Sequence, residues 1–287
     1  MKQMDLKTKN RSNLKSIALG SHNLSYQRQP LVMGILNLTS DSFYAESRTP
    51  DIATALSGAL LMCTDGADII DIGAESTRPG SKPVSVAEEQ ERLLPILEAI
   101  RSEIDLPITV DTRHAATAKL ALGLGVDGIN DISAGSDPEM FPLCADKKCG
   151  LILMHMQNSP TDMQVAPSYS SVIDEVSVYL AHRASEAEKA GVSAEQIIVD
   201  PGIGFGKTLE HNLELMKNLK AVSERPILLG ASRKSFISMI DNSETDNRLG
   251  GSLAAVGTAY HSEAAIVRVH DVQETVQFLN VLSSIKG

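Results

Sequence analysis

Ile197-Ile198-Val199-Asp200-Pro201-Gly202 is the stretch on which the fold turns. Three consecutive β-branched apolar residues suit a strand covered on both faces, as in a parallel sheet, and Asp-Pro-Gly ends it in a turn. Upstream, residues 172–190 carry apolar residues at helical spacing and stop at Gly191, a natural helix C-cap. Downstream, residues 209–222 are again helical in pattern. The unit is therefore strand then helix, and it recurs along the chain. Short apolar runs occupy residues 31–37, 67–74, 107–112, 128–134, 151–156, 197–202, 226–232 and 264–271. Helical patterns follow at 52–64, 86–104, 115–124, 139–147, 172–190, 209–222, a broken stretch over 236–262, and 272–284. Eight such units predict the α/β class and a (β/α)8 TIM barrel formed as one domain over residues 29–287. Residues 1–28 read as a flexible N-terminal tail. The alternative, an open doubly wound sheet, wants a glycine-rich phosphate loop after the first strand, and Met33-Gly34-Ile35-Leu36-Asn37 has no G-x-G-x-x-G.

Composition narrows the function. With 26 basic and 36 acidic residues the net charge is −10, and there are five Phe, five Tyr and no Trp in 287 residues. Such a chain repels a polyanion and lacks the aromatic surface on which single strands stack, so nucleic acid is excluded as a partner. Cys63, Cys144 and Cys149 show no C-x-x-C spacing and fit neither a disulfide framework nor a zinc site, which points to the cytoplasm. No apolar run is long enough for a membrane span, and the polar, basic residues 1–16 precede no signal-peptide core.

In a barrel of this kind the reacting groups lie at the C-terminal ends of the strands. Read in order, those ends supply Asn37, Glu75-Ser76-Thr77-Arg78, Asp111-Thr112-Arg113, Asn130-Asp131, His155, Asp200, Ser232-Arg233-Lys234-Ser235 and Arg268-Val269-His270-Asp271. Singly, an Asp in such a place is often a helix cap and an Arg a solvated surface charge. Together they form a rim of polar groups, each of which would cost about 1–3 kcal/mol if buried unpaired. Asp111, Asn130 and Asp200 suit a flat heterocycle with adjacent N–H donors, because a carboxylate takes a guanidine-like edge in two parallel bonds. Arg268 and His270 on the last strand come near Asn37 on the first when the barrel closes, a set suited to a phosphate with Mg²⁺. The segment from Ser232 to Ser235 opens a helix whose free N–H groups attract an anion. Met154-His155-Met156 reads equally well as core packing or as a wall against a planar ligand. The string from Gly202 to Thr208 ends like a nucleotide-binding P-loop, but Pro201 stands where its first glycine is required.

These strings resemble dihydropteroate synthase. The resemblance rests on residues 33–39 (MGILNLT), 71–80 (DIGAESTRPG), 200–207 (DPGIGFGK), 232–235 (SRKS) and 268–271 (RVHD), in order over roughly 31–285. It implies a barrel enzyme, a transferase of folate biosynthesis and a sulfonamide target, that condenses 6-hydroxymethyl-7,8-dihydropterin diphosphate with 4-aminobenzoate. By resemblance, Asp111, Asn130, Asp200 and Lys234 bind the pterin, while Asn37, Arg268 and His270 take the diphosphate and Asn37 its Mg²⁺; Met154, from the Met-His-Met cluster, is the candidate wall against the pterin. Thr77, Arg78, Pro79, Phe205 and Ser235 match the loops around the aminobenzoate. Asp111, Lys234, Arg268 and His270 are the catalytic candidates, and a homodimer is implied.

One loop departs from the family pattern T-P-D-S-F-S-D-G-G. Here it reads Thr39-Ser40-Asp41-Ser42-Phe43-Tyr44-Ala45-Glu46-Ser47, keeping Asp41 and Phe43 but losing the second Asp and both glycines. A lid without those glycines has fewer conformations open to it, and Glu46 is the residue that would replace the lost carboxylate. Two other functions share the barrel: a methyltransferase using methyltetrahydrofolate, which has no use for a diphosphate clamp, and a pterin-binding paralogue without catalysis.

Overall fold

The computed structural model describes residues 14–38, 51–75, 84–159 and 161–286. Its first element corrects the tail reading over residues 15–26, while residues 1–13 lie outside the described residues. Lys15–Leu19 (β1) and His22–Tyr26 (β2) pair antiparallel, with Leu19 opposite His22. The two-residue loop Gly20-Ser21 starts with a glycine at φ +55°, as tight hairpins require. Ile17 and Leu19 are fully buried, because the hairpin lies across the N-terminal end of the barrel. Leu19 reaches so far in that a Cβ on Gly150, at the foot of a barrel strand, would sit 2.2 Å from its Cδ2.

The barrel strands are β3 (Leu31–Asn37), β4 (Ile69–Gly73), β5 (Ile108–Asp111), β6 (Gly128–Asp131), β7 (Gly150–Met154), β8 (Ile197–Asp200), β9 (Leu228–Leu229) and β10 (Ile266–Val269). They run parallel in the order β8-β7-β6-β5-β4-β3-β10-β9. A parallel bridge from Val199 to Ile227 joins the two ends, with Val199 N donating to Pro226 O at 3.0 Å. The eight-stranded barrel expected from the sequence is thereby closed. β9 is shorter than its apolar run, since Pro226 brings no N–H to the ladder. β6 stops at Asp131, whose carboxylate accepts from Ser133 N and Gly135 N, both at 2.8 Å, and bends the chain into a turn.

Ten helices pack outside among the described residues: α1 (Ile52–Thr64), α2 (Val86–Glu103), α3 (Ala115–Gly123), α4 (Met140–Lys147), α5 (Val172–Lys189), α6 (Leu209–Lys217), α7 (Leu219–Val222), α8 (Ser235–Asp241), α9 (Leu249–His261) and α10 (Val272–Lys286). Side-chain caps fix several starts: Asp51 accepts from Thr54 N, Ser85 from Glu88 N and Ser171 from Asp174 N. The expected helix over 209–222 breaks at Asn218, which leaves the helical region at φ −115° and ψ 31°. The stretch over 236–262 splits where Asn242 turns left-handed at φ +60°. Two aliphatic layers fill the space between sheet and helices, and a third fills the barrel above the hairpin. The apolar filling therefore occupies one end of the barrel, and the polar strand ends occupy the other.

Candidate active site

Register aligns the polar ends. Asn37 pairs with Gly73, Gly73 with Asp111, and Asp111 with Asn130, which makes one row across β3 to β6. Met154 and Asp200 form a second row across β7 and β8. Beneath the first row lies Asp71, fully buried in the middle of β4. Its Oδ1 accepts from Thr109 Oγ1 at 2.5 Å, and its Oδ2 accepts from Asn130 Nδ2 at 3.1 Å and Arg268 Nε at 2.6 Å. A carboxylate only accepts, so Asn130 must turn its amide nitrogen to Asp71 and leave Oδ1 for another partner. Arg268 also donates from Nη2 to Asp111 Oδ2 at 3.0 Å. Burial pushes Asp111 up to about 7; Arg268 opposes the shift, while Asp71, Glu89 and Asp131 add to it. Burial would lower the Arg268 guanidinium, but Asp71 and Asp111 outweigh it and hold the group above its ordinary value.

On the opposite wall Asp200 Oδ1 accepts from Gly202 N at 2.7 Å. Burial raises Asp200, and the nearby Lys234 ammonium works against that shift. Lys234 is drawn down to about 8 by burial, with Asp200 opposing. Its Nζ donates to Ile203 O and lies 4.5 Å from the centre of the Phe205 ring. Phe205, Met154, Ile132 and Met163 pack together as an apolar wall beside this charged pair. The loop after β8 can take this shape because Gly202 sits at φ +68° with no side chain; a Cβ there would lie 1.9 Å from His155 O.

Behind that loop Lys207 is buried, donating to Phe205 O at 2.9 Å and His155 O at 3.3 Å and meeting His155 Nδ1 at 3.0 Å. Burial lowers Lys207 to about 7, and burial with the adjacent Lys207 lowers His155 to about 3. His155 is therefore neutral, and in the tautomer protonated at Nε2 its Nδ1 accepts from the Lys207 amine. The His155 ring also borders a cavity of about 530 Å³ on the outer side, shared with Tyr169, Tyr179 and His182. Across the mouth, His270 N and Nδ1 contact Ser232 Oγ at 3.2 and 3.0 Å. Arg233 turns outward, its guanidinium paired with Asp271. The helix that begins at Ser235 is only seven residues long, so the segment from Ser232 to Ser235 contributes Lys234 to the mouth more than it contributes a helix end.

An acceptor pair on one wall, an acid with an ammonium on the other, and a guanidinium beside a histidine share one opening. The chain matches the model of the pterin binding enzymes over residues 33–270. It is 41% identical over 273 residues to dihydropteroate synthase of Synechocystis sp., covering 94% of both chains. It belongs to the dihydropteroate synthase family. The Yersinia pestis synthase, solved with a sulfonamide drug complex, superposes with a TM-score of 0.88 at 35% identity, covering 95% of this chain and 99% of that one. The synthase of Burkholderia cenocepacia, complexed with 7,8-dihydropteroate, gives 0.86 at 40% identity, over 95% and 97%.

As a member of the dihydropteroate synthase family the chain brings Asn37, Asp111, Asn130, Met154, Asp200, Phe205, Lys234, Arg268 and His270 to one end of the barrel. Ser235 is exposed beside them at the start of α8. Thr77, Arg78 and Pro79, and the lid residues Asp41, Phe43 and Glu46, lie outside the described residues. Two members of the cluster escaped the sequence reading. Asp71 was legible as a charge inside Ile69-Ile70-Asp71-Ile72, on the same strand face as Gly73. Lys207 falls within the P-loop-like string that Pro201 rules out, and its burial instead serves the loop that carries Phe205.

Proposed function

We propose that this chain condenses 6-hydroxymethyl-7,8-dihydropterin diphosphate with 4-aminobenzoate, giving 7,8-dihydropteroate and diphosphate. The observation that carries this reading is the gathering of the acceptors Asp111, Asn130 and Asp200 around one guanidinium, Arg268, at one opening. The curated relatives named dihydropteroate synthase support the same reaction. In this assignment the Asp111 and Asp200 carboxylates accept the ring and amino N–H groups of the pterin, Asn130 Oδ1 accepts another, and Lys234 donates to the ring carbonyl side. Met154 lies against the flat ring, backed by the apolar wall it forms with Ile132 and Met163. Arg268 and His270 face the diphosphate.

The chemistry is substitution at the pterin methylene. The carbon–oxygen bond breaks first, its electron pair leaving with the diphosphate, and Arg268 with His270 offsets the charge gathering there. Asp111 and Asp200, as carboxylates, oppose the positive charge left on the ring and methylene. The arylamine nitrogen, neutral near pH 7, then forms the carbon–nitrogen bond and releases a proton to solvent. Phe205 and Ser235, with Thr77, Arg78 and Pro79, are assigned to the aminobenzoate.

Mg²⁺ fits this site only in a limited way. The described residues hold no cluster of three His, Cys, Asp or Glu side chains able to cage a metal. Asn37 offers a single amide oxygen on the rim, which suits an ion that keeps its waters and is chelated by the diphosphate. Bound so, Mg²⁺ would draw negative charge from the departing group. The reading extends to a homodimer through the outer helices, where Val281 and Ile285 of α10 and Met239 and Ile240 of α8 are exposed apolar residues. It extends also to the cytoplasm, which suits three free thiols, and Glu46 is assigned the role of the missing lid carboxylate.

The test is an assay for dihydropteroate from the two substrates, with Mg²⁺ present and with the metal chelated. Product that depends on the metal supports the assignment. Methyl transfer from methyltetrahydrofolate would identify a methyltransferase, and tight pterin diphosphate binding without product would identify a binding paralogue.

A further inference from the structure

We infer that Asp71 is a positioning residue for the reaction, a buried pivot that fixes Arg268 toward the diphosphate and Asn130 toward the pterin at the same time. The inference rests on the roles proposed above for Arg268 and Asn130. Asp71 cannot itself be a substrate ligand. It is wholly buried below the row of strand ends, and three donors already occupy its two oxygens: Thr109 Oγ1, Asn130 Nδ2 and Arg268 Nε. Asp111, by contrast, lies at the opening and meets the same guanidinium only through Nη2. The arginine is thus gripped from below at Nε, at 2.6 Å, and held more loosely from above at 3.0 Å. Only the lower grip survives when a pterin takes Asp111. The guanidinium then keeps its place and presents its Nη edge to the diphosphate. One carboxylate links the two halves of the substrate.

Asp71→Asn separates this role from plain electrostatics. The side chain keeps its shape, Oδ1 still accepts from Arg268 and Asn130, and Nδ2 donates to a Thr109 hydroxyl turned round to accept. Only the charge is lost. If Asp71 were a bystander, removing a negative charge near the site would tighten binding of an anion. As a pivot, its neutral oxygen grips the guanidinium more weakly than the remaining Asp111 carboxylate does, and Arg268 swings onto Asp111, away from the diphosphate. Inorganic diphosphate with Mg²⁺ is the probe, titrated by calorimetry into the whole protein. The expected result is a Kd raised about 10- to 100-fold, the range for losing the one charge-assisted bond from Arg268 to the diphosphate. The KM for the pterin diphosphate should rise in step, and that for 4-aminobenzoate should stay within about twofold. An unchanged or lower diphosphate Kd overturns the inference. Thr109→Val, which keeps the charge but removes the donor that fixes Oδ1 and so frees the Asp71 carboxylate to turn from Arg268, should raise the diphosphate Kd in the same direction and decides the matter if Asp71→Asn does not fold. Dihydropteroate formation by the unaltered protein tests the assignment beneath, so failure of either claim is visible separately.

Discussion

Replacing Asp111 by Asn should make the protein more stable near pH 8 and nearly inactive. Asp111 is held among buried groups that raise it from an ordinary 3.8 to about 7, burial being the first cause. The folded chain therefore binds a proton that the unfolded chain releases throughout that interval. The stabilising contribution of the protonated form is complete below about pH 4 and is lost as pH rises through about 7. About three pH units at about 1.4 kcal/mol each make the ionised form cost about 4 kcal/mol. Asn carries no charge to bury. For a chain of 287 residues that relief corresponds to a Tm rise of about 7 °C at pH 8 and almost none at pH 4. Comparing variant with parent at each pH cancels the opposite trend from Lys207, whose lowered value makes stability rise with pH above about 7. The assay is thermal unfolding at pH 4, 6 and 8, alongside turnover, which should fall about 100-fold or more with the loss of a charged acceptor. A variant less stable than its parent at pH 8 would refute the reasoning, since Arg268 would then owe its place to Asp111 and not to Asp71.

Three further outcomes follow from the same geometry. Gly202→Ala puts a Cβ 1.9 Å from His155 O at φ +68°, so the loop after β8 must move; dihydropteroate formation should fall at least about 100-fold with Asp200 displaced, as steady-state kinetics would show. Lys207→Met leaves Phe205 O, His155 O and His155 Nδ1 without their donor, and should raise the KM for 4-aminobenzoate about tenfold with a smaller change for the pterin diphosphate. Leu19→Ala empties the bottom of the barrel, costing about 2–5 kcal/mol in a denaturant titration while both KM values stay where they were.

The barrel was legible because each strand is buried on both faces, which writes itself into the chain as consecutive apolar residues such as Ile197-Ile198-Val199. Element ends were less so. Where a strand stops depends on side chains reaching back, as Asp131 does to Ser133 and Gly135, and where a helix breaks depends on a single Asn. The hairpin over Lys15–Tyr26 did announce itself, through Ile17 and Leu19 before a Gly-Ser turn and Leu24 and Tyr26 after it. It was obscured by the basic residues that precede it. In the site, residues at strand ends could be read because a barrel has one functional face. Asp71 and Lys207 could not be assigned, because what they do is set by partners far apart in sequence: Asp71 and Arg268 are 197 residues apart, and Lys207 and His155 are 52 apart.

The central claim is that these strand ends hold one bicyclic ring beside one diphosphate. A crystal structure of the chain with Mg²⁺ and a non-hydrolysable pterin diphosphate analogue tests it most directly. Ring nitrogens are expected within about 3.2 Å of Asp111, Asn130 and Asp200, and diphosphate oxygens against Arg268 and His270. A ring bound elsewhere, or a diphosphate held away from Arg268, would contradict it.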